Sequence, residues 1–210
     1  MTDWSATGQM LSGIGTISGS IAIVVVAFLG RNAVKDFRQQ KVVERQIEQA
    51  ETALTILYKL KDAISDMRSP ATWGHESESS RDELVKLDWF NALPKDQQER
   101  FVQANVFCLR MRRHEDVFDS AFSILPFVKA FFGSPAEDSF RTILRNGRSV
   151  KVYADAYARD TGHDAAFTRK IEGIIWEGGV DPLDDHTSIE INEAVAAVEA
   201  TLLPIVRLNT

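Results

Sequence analysis

The stretch Met10 to Gly30, MLSGIGTISGSIAIVVVAFLG, decides how the rest of the chain can be arranged, because it contains no charged residue. A hydrocarbon core about 30 Å thick takes about 20 helical residues to cross, and this run supplies that length. Arg31 ends the run abruptly. The sequence therefore predicts a single transmembrane helix that anchors everything after it.

Charges on the two sides of the run predict its orientation. Only Asp3 precedes it, whereas the segment 31–45 carries five basic residues against two acidic ones. By the positive-inside rule, the long C-terminal part lies in the cytoplasm of a bacterial inner membrane and the short N-terminus lies outside. A cleaved signal peptide is the alternative, but the leading segment lacks the basic region that such peptides carry.

Small and weakly polar residues recur along one face of the predicted span. Such residues let membrane helices approach closely, and their hydroxyl groups can hydrogen-bond across a helix pair. The face is a candidate oligomer interface or pore lining, and the alternative is the ordinary tolerance of membrane helices for these residue types. Its members are Gly8, Ser12, Gly15, Thr16, Gly19 and Ser20.

The remainder of the 210-residue chain has the composition of one helical domain. Apolar residues recur at steps of three and four and no segment alternates convincingly as a strand would, which predicts an all-α fold. The net charge of -6 argues against a generic nucleic-acid-binding surface. We expect a periplasmic N-terminus and span at 1–30, a juxtamembrane helix at 31–68 and a cytoplasmic helical domain at 69–210.

One long amphipathic helix is predicted directly after the span. No helix breaker lies between Arg31 and Met67, so this helix is expected to continue from the membrane without interruption. Its narrow apolar seam suits packing on a neighbouring helix, within the chain or in another subunit, and we favour packing within the chain. The seam consists of Val43, Ile47, Ala50, Leu54, Leu57 and Ile64.

The segment after this helix is the most polar and turn-rich of the chain. Residues 71–80, ATWGHESESS, are therefore expected to form a loop. Ser80 and Glu83 have the spacing of a capping box, which predicts that the next helix begins there.

A helix is predicted from Pro94 to Leu125, and it would place one carboxylate among apolar residues. Glu115 occupies a step of the apolar face, next to His114. A buried carboxylate beside an imidazole could act as an acid or base, which makes both residues catalytic candidates. The alternative, which we favour, is that Glu115 pairs with a nearby arginine and has a structural role.

Breakers and cations mark the segment that follows. Pro126 is expected to break a helix, and Asn146-Gly147 to separate two short helices. Between and beside them lies a modest basic face, for which contact with phosphate or acidic lipid and ordinary solvation both stay open. It consists of Arg141, Arg145, Arg148 and Lys151. Further on, Asp164 is predicted to cap a helix.

Few patterns in the chain point to chemistry. No phosphate-binding loop, dinucleotide fingerprint, nucleophile elbow or zinc-protease motif occurs, so no cofactor is expected. A cluster of carboxylates and imidazole near the C-terminus contains candidate metal ligands, but its spacing fits no EF-hand or zinc pattern, and turn formation with helix capping is favoured. That cluster consists of Asp181, Asp184, Asp185 and His186.

One spacing matches a known ribonuclease motif. Ribonucleases of the HEPN type are all-helical and carry an arginine followed a few residues later by a histidine, and Arg68 to His75 fits that spacing. Both are therefore catalytic candidates. The match crosses Ser69-Pro70, unlike the usual position of the motif on a helix.

The order of these features resembles an uncharacterised bacterial family of N-terminally membrane-anchored all-helical proteins. The resemblance rests on residues 61–70, KDAISDMRSP, on residues 176–179, WEGG, and on the tail residues Val195, Leu202, Leu203, Pro204 and Arg207. More distantly, the plan is similar to the accessory membrane proteins of Cas13b-type CRISPR systems. That likeness implies a HEPN-like helical domain, ring oligomers and antiviral membrane disruption.

Three functions are consistent with the sequence. The first is a non-enzymatic, oligomeric inner-membrane protein, such as a membrane-disrupting or pore-forming defence effector, whose partners are the lipid bilayer and further copies of the chain. The second is a membrane-tethered HEPN-like ribonuclease. The third is a passive membrane adaptor for a protein partner in the cytoplasm.

Overall fold

The computed structural model describes residues 4–162, 164–178 and 185–207, with side chains from Lys35 onward except that of Asp36. These ranges contain eight helices and no strand, which confirms the all-α prediction. The helices are α1 (Trp4–Arg68), α2 (Gly74–Leu84), α3 (Asp88–Asn91), α4 (Lys95–Arg113), α5 (Glu115–Phe132), α6 (Ser134–Arg159), α7 (Ala165–Ile175) and α8 (His186–Arg207).

The chain forms two compact units, residues 1–47 and 48–210. The predicted span Met10–Gly30 belongs to the first unit, and its side chains lie outside the described residues. The same holds for the predicted interface residues Gly8, Ser12, Gly15, Thr16, Gly19 and Ser20. Among the residues whose side chains the structure describes, no helix has the length and apolar character that a bilayer crossing requires.

The second unit is built around two helices. Residues of α1 from Ala50 to Met67 that are spaced three or four apart are almost completely buried, so the seam packs within the chain as predicted. Val43, the first residue of the predicted seam, is 54% exposed and does not belong to the buried core. Helix α6 is the other centre, and it packs against α4, α5, α7 and α8.

Helix α2 replaces the loop that was predicted over residues 71–80. It begins at Gly74, so Ser80 lies inside it rather than at its start, and the Ser80 hydroxyl donates to the Val102 carbonyl at 2.7 Å. The helix start is instead stabilised by Glu76, whose carboxylate accepts a hydrogen bond from the Trp73 N–H at 3.3 Å. The loop prediction was wrong because two polar residues of this segment, Glu76 and Ser80, are buried and satisfied by distant partners.

The helix predicted from Pro94 to Leu125 is in fact two helices, which meet at His114. Glu115 therefore opens α5 and is exposed, and its predicted place on an apolar face was wrong. Pro126 does not end a helix either, because it lies within α5 on an exposed position where the carbonyl that loses its helical partner can be solvated.

Asn146-Gly147 also lies within a helix, because α6 runs unbroken from Ser134 to Arg159. A Cβ on Gly147 would lie 2.8 Å from the ring of Phe118, so the glycine allows α5 and α6 to approach rather than forming a turn.

By contrast, the predicted cap of α7 is confirmed, since Asp164 Oδ1 accepts from the N–H groups of Ala166 and Phe167 at 2.9 and 3.1 Å.

Candidate functional site

Arg68, one half of the ribonuclease-like spacing, is the last residue of α1 and is only 1% exposed. Its guanidinium donates five hydrogen bonds across to the end of α7 and the start of α8. The acceptors are the carbonyl oxygens of Gly173, Ile174 and Trp176 and the side chains of Asp185 and Ser188, at 2.6–3.3 Å. His75 lies exposed in α2, and no hydrogen bond or ion pair among the described residues joins it to Arg68.

Asp185, a predicted metal ligand, is buried and binds Arg68 Nη2 at 2.6 Å. It also accepts from the Gly178 N–H at 3.0 Å and from the Ser188 N–H and hydroxyl at 2.9 and 2.7 Å, so it caps α8. Burial acts to raise the pKa of Asp185, but these hydrogen bonds outweigh it and hold the pKa below its ordinary value.

The other predicted metal ligands are not brought together with Asp185 at a described site. His186 opens α8 and is exposed, whereas Asp181 and Asp184 lie outside the described residues. No cluster of three potential metal ligands forms among the residues that the structure describes.

Arg110 is a second buried arginine, and it ties the same end of α1 to α4. It is 2% exposed and donates five hydrogen bonds. Two of them go to the Glu76 carboxylate at 2.7 and 3.2 Å, and the other acceptors are the backbone carbonyls of Asp66, Ser69 and Ala71 at 2.7–3.2 Å. The Arg110 hydrogen bonds lower the pKa of Glu76 to about 2, and Trp73 N–H and Arg113 also favour the ionised form against the cost of burial.

The acid–base candidates His114 and Glu115 are neighbours in sequence but have different surroundings. His114 Nε2 lies 2.8 Å from Oδ2 of Asp66, the residue whose backbone carbonyl accepts from Arg110. Glu115 instead lines a separate cavity of about 330 Å³, together with Cys108. Burial raises the pKa of the Cys108 thiol, which favours the protonated and less nucleophilic form. These residues do not form a catalytic constellation.

The second unit also contains an open groove, which we call the α6–α8 groove. Its volume is about 590 Å³, and three helices line it. Helix α6 contributes Arg145, Asn146, Ser149 and Tyr153, α7 contributes Arg169, Lys170, Gly173 and Ile174, and α8 contributes His186, Thr187 and Glu190. Gly173 and Ile174 are also acceptors of Arg68, so that buried arginine holds one wall of the groove.

Positive charge predominates in the groove. Three cationic side chains, Arg145, Arg169 and Lys170, line it together with one carboxylate, that of Glu190. The carboxylate accepts from Asn146 Nδ2 at 3.1 Å and lies 4.0 Å from Arg145 Nη2. Arg169 and Lys170 have no carboxylate within ion-pair distance among the described residues.

The basic face predicted on α6 is not one surface. Arg141 pairs with Glu137 at 2.7 Å, Arg148 lies over the ring of Phe122, and Lys151 lines the cavity beside Cys108. Only Arg145 belongs to the groove, where its neighbours Arg169 and Lys170 come from α7. The adjacent pair in α7 is visible in the sequence, but the packing of α7 on α6 that brings these charges together is not.

Comparison of this chain with protein families, with characterised proteins and with solved structures finds no match.

Proposed function

We propose that this protein is a non-enzymatic, oligomeric protein of the bacterial inner membrane. In this proposal, the run Met10–Gly30 spans the bilayer with its N-terminus outside, and the helical domain lies in the cytoplasm. The small-residue face of the span forms the contact between subunits, and the assembly disrupts or perforates the membrane. The distant resemblance to accessory membrane proteins of CRISPR systems suggests defence as its setting.

Helix α1 carries the proposal. It runs from Trp4 to Arg68, and so includes both the uncharged run and the residues at the centre of the helical core. Because one helix contains both the proposed span and part of the domain core, a change in the domain can be passed directly to the membrane segment.

The ribonuclease alternative gains no support from the described residues. Arg68 is held by five hydrogen bonds within the fold, and its sequence partner His75 is exposed in another helix. An arginine that a reaction requires must be able to reach substrate, whereas this guanidinium is surrounded by protein.

The mass of the full-length protein in a mild detergent, measured by light scattering after size-exclusion chromatography, tests the proposal. A specific oligomer is expected, and a monomer alone would overturn the assignment. Gly15→Leu combined with Gly19→Leu should weaken assembly, because the larger side chains keep the helices apart. Ile14→Phe with Ile17→Phe, which adds bulk to the opposite face of the same turns of the predicted span, is the matched control and should leave the oligomer intact.

A further inference from the structure

We infer that the α6–α8 groove binds a phosphate-bearing ligand of about the size of a nucleotide. This inference concerns residues of the second unit alone, and it stands or falls independently of the membrane proposal. It rests on the convergence of cationic side chains in a concave surface whose remaining lining suits an organic anion.

Charge is the first argument. Arg145 on α6 and Arg169 and Lys170 on α7 line one groove in a chain whose net charge is -6. Placing like charges close together raises the electrostatic energy of the surface, whereas a surface of mixed sign avoids that repulsion. A multiply charged anion bound in the groove would relieve the repulsion between these cations. Two of the three cations are arginines, whose planar donors match the oxygens of phosphate in pairs.

Shape and neutral groups are the second argument. The groove volume of about 590 Å³ falls within the range of about 300–1,000 Å³ that is typical of small-molecule sites. Tyr153 offers an aromatic surface for a planar ring, while Ser149 and Thr187 offer hydroxyl groups.

The groove is also held in shape before any ligand arrives. The carbonyl oxygens of Gly173 and Ile174, which lie in its wall, accept hydrogen bonds from the buried Arg68 at 3.3 and 2.9 Å. A wall that is already ordered needs little further ordering on binding, which favours affinity for a small ligand.

Calorimetric titration of the full-length protein in detergent at physiological salt tests the inference. The probes are ATP, inorganic pyrophosphate and glycerophosphoglycerol, which carries the headgroup phosphodiester of an anionic lipid without its acyl chains. Arg169→Ala with Lys170→Ala should weaken binding about tenfold or more, because two charge-assisted contacts are lost. Lys59→Ala with Arg159→Ala removes the same two residue types from exposed helical positions that do not line the groove, and should leave binding unchanged.

Binding of ATP or pyrophosphate that only the groove variant weakens would support a soluble phosphate ligand. Binding of glycerophosphoglycerol alone, with the same dependence, would support the same chemistry supplied by a lipid headgroup. Failure of all three probes to bind the wild-type protein would overturn the inference. Equal weakening by both double variants, or by neither, would also overturn it, provided that circular dichroism shows both variants to be folded.

Discussion

Two sets of cations in this domain differ in what holds them. Arg68 and Arg110 are 1% and 2% exposed, and each donates five hydrogen bonds to protein groups. Arg169 and Lys170 are exposed and line an open groove. A buried guanidinium has to be satisfied within the fold, whereas an exposed cation is satisfied by water and can exchange that water for a ligand. Arg68 and Arg110 therefore stabilise the fold, whereas Arg169 and Lys170 are accessible to a ligand.

The largest expected effect comes from removing a member of the buried set. Arg110→Ala should lower the free energy of unfolding by about 3–5 kcal/mol, because three backbone carbonyls lose the Arg110 donor inside the protein and Glu76 loses its main cationic partner. The matched control is Arg112→Ala, two residues further along the same helix and on its exposed side, where the lost pair with Glu83 is worth at most about 1 kcal/mol. Thermal unfolding of the full-length chain, followed by circular dichroism, measures both, and similar losses in the two variants would contradict the comparison.

A smaller effect is expected from the acidic partner, and it should depend on pH. Glu76 has a folded-state pKa of about 2 against an ordinary value of 4.5. Its ionised form therefore stabilises the fold above pH about 4.5, and this contribution is lost as the pH falls towards about 2. Glu76→Gln should lower the free energy of unfolding by about 1–3 kcal/mol at pH 7.

The difference between Glu76→Gln and the wild-type protein should shrink on acidification, because protonated Glu76 resembles glutamine. Unfolding curves at a series of pH values between 7 and about 3 measure it. A difference that stays constant across this range would show that ionisation of Glu76 does not contribute to stability.

The smallest effect is expected in the groove. Arg169→Ala with Lys170→Ala should change the free energy of unfolding by no more than about 0.5 kcal/mol, although it removes two charges, because neither side chain has an ion-pair partner among the described residues. The same unfolding measurement checks this. A loss of several kcal/mol would assign these residues to the structural set and remove the contrast between the two regions.

The sequence predicted helices where local signals agree with packing. The three- and four-residue spacing of Ala50, Leu54, Leu57 and Ile64 correctly indicated a helix that packs within the chain, and Asp164 correctly marked a helix start. Local polarity was misleading at residues 71–80, since the helix there depends on Glu76, whose main partner Arg110 lies 34 residues away.

The helix breakers were misread for a related reason. Pro126 and Asn146-Gly147 are typical of interruptions, but the long α5 and α6 helices are stabilised by tertiary contacts that outweigh such local preferences. At Gly147 the absence of a side chain is itself a packing feature, because the ring of Phe118 fills the space.

By itself, the sequence determined the helical class of the domain, the apolar face of α1 and the cap of α7, because these depend on residues close together in the chain. Only the tertiary structure decided the roles of the charged residues. It buried Arg68 and Arg110 where each meets backbone carbonyls as well as a carboxylate, and it brought Arg145 next to Arg169 and Lys170 in one groove. Periodicity indicates which residues share a helix face, but the neighbours of a cation depend on which helices pack together.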